Sequence, residues 1–182
     1  PLENHLAPTT LHANLFALDR GAVPPERRSR VITKMLEQEP DYKDEAIMLY
    51  HYLFMQFYAL DRPELDVHVL EMFREKWVGM VAAPWQCSWE MFRTGSKAHI
   101  YGMYPGYFLS SYVLGVRRDA PAAEKTLIIE PHLGDLELAE GVVVTEFGPV
   151  PVSWKRENNT LAFKIEVPSG ATAILRLPNS GT

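Results

Sequence analysis

Leu161-Ala162-Phe163-Lys164-Ile165-Glu166-Val167 alternates apolar and polar side chains without a break. A chain with a period of two places Leu161, Phe163, Ile165 and Val167 on one face and Ala162, Lys164 and Glu166 on the other, which is the signature of a half-buried strand. Working backward, Val150, Val152 and Trp154 form an equivalent row, and Glu157-Asn158-Asn159 reads as the hairpin turn between the two. Residues 126–130, 141–145 and 172–177 read as further strands set apart by Gly and Pro. Short antiparallel strands with one apolar face need a second layer to cover it, so the expected solution is an antiparallel β-sandwich.

Before residues 117–124 the period changes, and apolar residues recur every three or four positions. Residues 10–21 read as a helix with Leu11, Leu15 and Leu18 on one side and Gly21 as the stop. Pro24 and Pro25 open a second helix over 26–38, where the first turn has no hydrogen bond for proline to remove. Residues 44–60 carry Met48, Leu49, Tyr52, Leu53, Phe54 and Phe57 nearly all round, and a helix without a polar face must be surrounded by protein. Pro63 begins a helix with Leu70, Phe73 and Trp77 as a buried stripe, and a last helix runs from Tyr104 or Pro105 to Leu114, ended by Gly115. The expected division is therefore helical over 1–116 and all-β over 117–182. So few helices cannot fully cover an apolar one by themselves. They must pack on the β module, belong to a larger helical array, or pair with a second copy as a homodimer through exposed helices.

The chain has 182 residues, with 18 Lys+Arg against 23 Asp+Glu and a formal charge of −5. No basic cluster is dense enough to follow a phosphate backbone, which argues against nucleic acid. No apolar run approaches the ~18 residues of a membrane span. A single cysteine, Cys87, excludes an internal disulfide and a cysteine-based zinc site. It is compatible with cytoplasm or periplasm, so the compartment stays undecided. His12, His51 and His68 lie on separate helices without metal-ligand spacing, and no metal or cofactor is expected. The chain opens on Pro1 rather than methionine, as expected of a processed or truncated polypeptide.

Motifs for nucleotide binding, zinc hydrolysis and serine hydrolysis are missing from the sequence. The stretch that breaks its local rules is 83–107, which holds Trp85, Trp89, Glu90, His99, Tyr101, Tyr104 and Tyr107 among Pro and Gly. Aromatic faces stack on the C–H surface of a pyranose, and carboxylates manage its hydroxyls and protons, so this composition suits a carbohydrate site. Packing is the competing explanation. Under it the chain is a non-catalytic carbohydrate-binding or structural module in which the aromatics pack or bind and Glu90 is incidental.

At this stretch the sequence resembles the bacterial α-L-rhamnosidases of glycoside hydrolase family 78. Trp77-Val78-Gly79-Met80 followed by Trp89-Glu90 is similar to a helix with a Trp…Met ending that leads into a G-A-T-T-x-W-E loop, and Gly95-Ser96-Lys97-Ala98-His99 fits the G-S-x-x-H element after it. Upstream, Leu11-His12-Ala13-Asn14, Gly21 and Val23-Pro24-Pro25-Glu26-Arg27-Arg28 resemble the H-A-N…G-x-V-P…R-R stretch. Downstream, Leu114-Gly115-Val116-Arg117 and Ile129-Glu130-Pro131-His132-Leu133-Gly134-Asp135-Leu136 resemble the junction with the terminal β-domain.

The resemblance implies the last helices of an (α/α)6 barrel followed by a C-terminal antiparallel β-sandwich, and inverting hydrolysis of terminal α-L-rhamnose or a related sugar. It implies Glu90 as the general base and Trp85, Trp89, His99 and Tyr101 as substrate-binding residues. His99 or a tryptophan N–H is the expected neighbour that tunes Glu90. Gln86-Cys87 stands where the family has Thr-Thr, and Pro84-Trp85 where it has Gly-Ala, which puts the identity of the sugar in doubt. The family's general acid lies in a D-C-P-x-R-D-E-R type segment that this sequence lacks, so the missing N-terminal part of a parent chain is the expected partner and the chain alone is expected to be inactive.

Overall fold

The computed structural model describes residues 11–38, 47–84, 87–93, 95–118, 124–158 and 160–177. By compactness the chain divides into Pro1–Leu60 with Arg74–Gly102, and Asp61–Phe73 with Met103–Thr182.

In the first unit, α1 (Leu11–Asp19) and α2 (Pro25–Gln38) begin and end close to their Gly and Pro signals, and Leu15, Leu18, Ile32 and Met35 are buried. The third helix, α3 (Met48–Tyr58), is apolar on every side, and none of its residues is exposed. Its expected start at Asp44 lies outside the described residues. Apolar exposure falls elsewhere, on Val78, Val81 and Ile100. α3 also carries His51, whose pKa is lowered from its ordinary value of 6.5 by burial, against the opposing field of Asp19. The unfolded chain therefore takes up a proton before the folded one as pH falls through 6.5, which favours unfolding. Urea unfolding between about pH 7.5 and 5.5 should show stability decreasing toward acid, with a shallower slope for His51→Gln. An equal slope in the variant would remove His51 as a source.

The helix α4 (Pro63–Lys76) contributes Pro63–Phe73 to the second unit and Arg74–Lys76 to the first. Pro63 starts it, and Glu64 and Asp66 in its first turn complement the helix dipole. A short helix, α5 (Val78–Ala82), follows. The segment expected as one helix from Tyr104 or Pro105 to Leu114 is wound two ways, as α6 (Tyr104–Phe108) and a π turn at Leu109–Val113, and a 3₁₀ turn at Ile100–Met103 precedes it.

Among the described residues, the second unit holds two three-stranded sheets. One has the order β1 (Val116–Arg117), β2 (Thr126–Ile129), β6 (Thr172–Leu175), and the other β3 (Leu138–Thr145), β4 (Gly148–Glu157), β5 (Thr160–Ile165). The β4–β5 hairpin pairs Trp154 with Phe163 and Glu157 with Thr160, as expected of two strands joined by a short turn; Asn159 of the expected turn lies outside the described residues. The alternation sorts as expected: Val150, Val152 and Trp154 are buried, with Leu161, Phe163 and Ile165 packed against the same cluster as Leu70, Val113, Val116, Leu127 and Ile129. Val167 instead lies past the end of β5 and is exposed.

One expectation fails: β2 and β6 run parallel, so the β region is not wholly antiparallel. The β3–β4–β5 excursion separates these strands in sequence, and a long connection allows the chain to return in the same direction, whereas a tight hairpin cannot. Trp154 donates its indole N–H to the Val113 carbonyl at 2.8 Å. Asp66 and His132 are both buried and face each other, with Nδ1 lying 3.1 and 3.2 Å from the two carboxylate oxygens. A carboxylate has no proton to give, so Nδ1–H is the donor. Asp66→Ala should cost about 1–3 kcal/mol in urea unfolding, because it removes the buried acceptor that the His132 Nδ1–H faces. A change below about 0.5 kcal/mol would show the pair to be dispensable.

Candidate functional site

The loop that carries Glu90 is anchored from below by aromatic side chains of the first unit. Trp77 is buried, with ring centroids 5.9 Å from Tyr50, 6.0 Å from Phe54 and 4.9 Å from Phe92. Its indole N–H donates to the Gly102 carbonyl at 2.9 Å. Edge-to-face contacts set the angle between rings as well as their distance, so this cluster fixes both ends of the loop.

The loop folds back on itself by main-chain pairing. The Glu90 N–H donates to the Ser96 carbonyl at 2.9 Å, the His99 N–H to the Ser88 carbonyl at 2.8 Å, and the Ile47 N–H to the Glu90 carbonyl at 3.2 Å. These bonds bring Trp89, Glu90, His99 and Tyr101 into one neighbourhood. His99 and Tyr101 are ring neighbours at 4.2 Å, and the Tyr101 N–H points to His99 Nδ1 at 3.4 Å. The Lys97 ammonium sits over the Trp89 ring, 3.7 Å from its centroid, a cation–π contact that covers this indole face. Trp85 and Gln86 lie outside the described residues.

Glu90 is half-buried, and its Oε2 accepts the Ser96 main-chain N–H at 3.0 Å. The expected tuning neighbour was His99 or an indole N–H, yet among the described residues the donor found is this amide. The physical reason is the fold of the loop: pairing of residue 90 with residue 96 places that amide beside the carboxylate before any side chain can reach it. Sequence reasoning missed it because a main-chain N–H has no letter, although the adjacent Gly95 marks the turn that aims it.

Cys87 is a half-buried free thiol. Among the described residues, no group of three potential metal ligands is clustered, and no helix is long and apolar enough to cross a membrane. Two hollows of about 130 and 290 Å³ lie on the β3–β4–β5 sheet, lined among others by Glu140, Ser153 and Lys164, and Glu90 lines neither. The arrangement is thus a carboxylate held by the Ser96 amide, next in the chain to a tryptophan that carries the Lys97 ammonium on its ring. Such an arrangement can accept a proton and stack on a ring, and it needs an opposing surface to enclose a substrate.

Residues 115–182 match the family model described as the bacterial alpha-L-rhamnosidase C-terminal domain. No curated protein matches the chain. Among solved structures, the alpha-L-rhamnosidase from Dictyoglumus thermophilum aligns at 22% identity with a TM-score of 0.78, covering 95% of this chain and 21% of that one. The Streptomyces avermitilis alpha-L-rhamnosidase, solved in complex with L-rhamnose, aligns at 15% identity with a TM-score of 0.74, covering 92% of this chain and 18% of that one. The chain therefore spans about a fifth of the length of these relatives. At these identities the likeness establishes the shared fold. By the domain match and this fold together, the chain is similar over nearly all its length to the C-terminal part of a rhamnosidase-like protein, whose terminal domain occupies residues 115–182.

Proposed function

We propose that the chain works as the C-terminal portion of an inverting glycoside hydrolase acting on terminal α-L-rhamnose or a closely related sugar, with Glu90 as general base. The observation that carries this reading is the Glu90 carboxylate, pinned by a main-chain amide beside Trp89 in a segment braced at both ends. The domain match over 115–182 and the two rhamnosidase folds support it.

In this reading a water molecule lies between Glu90 and the anomeric carbon. As its oxygen bonds to that carbon, one water proton passes to the Glu90 carboxylate, and the bond to the leaving oxygen breaks. The leaving oxygen takes its proton from a carboxylic acid supplied by another part of the parent polypeptide. Inversion places the two carboxyl groups ~6.5–9.5 Å apart, which leaves room for the water. Trp89, by the indole face opposite Lys97, and Trp85 stack on the sugar ring, and His99 and Tyr101 offer polar edges to its hydroxyls. The helices, in this reading, complete an (α/α)6 barrel, the two sheets form its terminal β-sandwich, and the chain by itself is inert. The deciding experiment is turnover by the full-length polypeptide with Glu90 replaced while its fold is retained.

A second reading, a non-catalytic carbohydrate-binding or structural module, is favoured by the two hollows on the β3–β4–β5 sheet, where Glu140, Ser153, Lys164 and Glu166 could meet sugar hydroxyls. Rhamnose titration of the chain separates the two. Resonance shifts confined to that sheet support the second reading, and shifts at Trp89 and His99 support the first.

A further inference from the structure

The two oxygens of the Glu90 carboxylate have different surroundings. Oε2 accepts the Ser96 N–H at 3.0 Å, and among the described residues Oε1 takes no hydrogen bond. The Ser96 amide is held in place by the reverse bond from the Glu90 N–H to the Ser96 carbonyl, 2.9 Å long. The Ser96 hydroxyl in turn engages Ala98, accepting its N–H at 3.2 Å. Gly95, just before this amide, has φ of +77°, a conformation that side chains rarely adopt. A Cβ there would also stand 2.9 Å from Glu90 Oε2. Two separate demands, one on the backbone and one on space, therefore meet at a single glycine whose neighbour holds the carboxylate.

We propose that Gly95 and the Ser96 amide are a positioning element for Glu90. The amide fixes one carboxylate oxygen, and with it the rotamer, and leaves the other oxygen to receive a proton. This inference rests on the reading of Glu90 as the base. A main-chain donor suits the task for three reasons. It loses no side-chain entropy on binding, it does not titrate, and it cannot surrender its proton to the group that must stay a free acceptor. A lysine in the same place would lose side-chain entropy and could itself titrate.

The test is a double-mutant cycle in the full-length polypeptide, with Gly95→Ala, Glu90→Gln and the pair together, on an aryl α-L-rhamnoside. Gly95→Ala should lower kcat about 10–100-fold with KM changed less than about threefold, because it crowds the held oxygen Oε2 and so turns the whole carboxylate while leaving the proposed sugar-binding side chains in place. In the Glu90→Gln background the same change should cost less than about twofold, since the group through which it acts is already disabled. Equal losses in both backgrounds would mean a merely structural glycine and would overturn the proposal, as would no loss in the unmodified background. Substantial turnover by Glu90→Gln alone would instead defeat the base reading itself. A second readout survives a variant that fails to fold. In unmodified protein isotope-labelled on serine, the Ser96 amide proton should titrate in step with the Glu90 carboxyl, and a flat Ser96 resonance through that range would also refute the proposal.

Discussion

Glu90→Gln in the full-length polypeptide is expected to lower kcat/KM on an aryl α-L-rhamnoside by about 10²–10⁴-fold, the usual contribution of a positioned base. Glutamine matches glutamate in shape, and its carbonyl oxygen can still accept the Ser96 N–H, so the loop should remain closed. What disappears is the capacity to take a proton from water. Because Trp89, His99 and Tyr101, the side chains proposed to meet the sugar, are untouched, the loss should fall on kcat rather than KM. Steady-state kinetics together with a thermal melt read both halves of this statement. Retention of more than about a tenth of the activity, with the melt unchanged, would leave Glu90 without a general-base role.

Trp154→Ala should produce the largest stability change, about 3–5 kcal/mol. The side chain is 2% exposed and packs with Leu70, Val113, Val116, Leu127 and Ile129, so its removal opens a cavity that rigid strands cannot collapse into. It also strands the Val113 carbonyl, which now receives the indole N–H at 2.8 Å. Trp154→Phe separates the two contributions: most of the apolar volume stays, the hydrogen bond goes, and the expected cost drops to about 1–3 kcal/mol. Urea unfolding followed by far-UV circular dichroism measures both. A loss below about 1 kcal/mol for the alanine variant would mean that the cluster is not the core of this unit.

Where punctuation was strong, the helices could be read from the chain. Pro25 and Pro63 stand at the first positions of α2 and α4, and Gly21 and Gly115 follow the ends of helical segments. The β4–β5 hairpin was equally plain, because its inward rows, Val150, Val152 and Trp154 with Leu161, Phe163 and Ile165, are apolar and alternate with proline, small or polar residues. Other features left no such trace. β1 has two residues, too few to alternate. β3 starts at Leu138 rather than Gly141 because its exposed side carries Leu138, Val142 and Val144, which hides the contrast that marks a strand. The parallel pairing of β2 with β6 depends on which strands become neighbours, and periodicity within one strand is silent on that. The winding changes within residues 100–113 were hidden for a similar reason, since one apolar spacing fits several helical pitches. At the site, the aromatic and acidic content of 83–107 singled out the segment. The anchoring ring of Tyr50, by contrast, comes from a distant helix that no local pattern connects to it.

The placement of Asp61–Phe73 in the second unit carries a practical warning for anyone who would excise the terminal domain by its homology boundary. A gene cut at Gly115 would encode every described strand yet omit the part of α4, Pro63–Phe73, that brings Leu70 to the strands' apolar cluster and Asp66 to His132. Such a product would carry an open greasy socket and a histidine stripped of its mate, and so invite clumping in place of folding. The smallest piece worth expressing begins ahead of Asp61, and the homology edge and the folding edge of this polypeptide are different places.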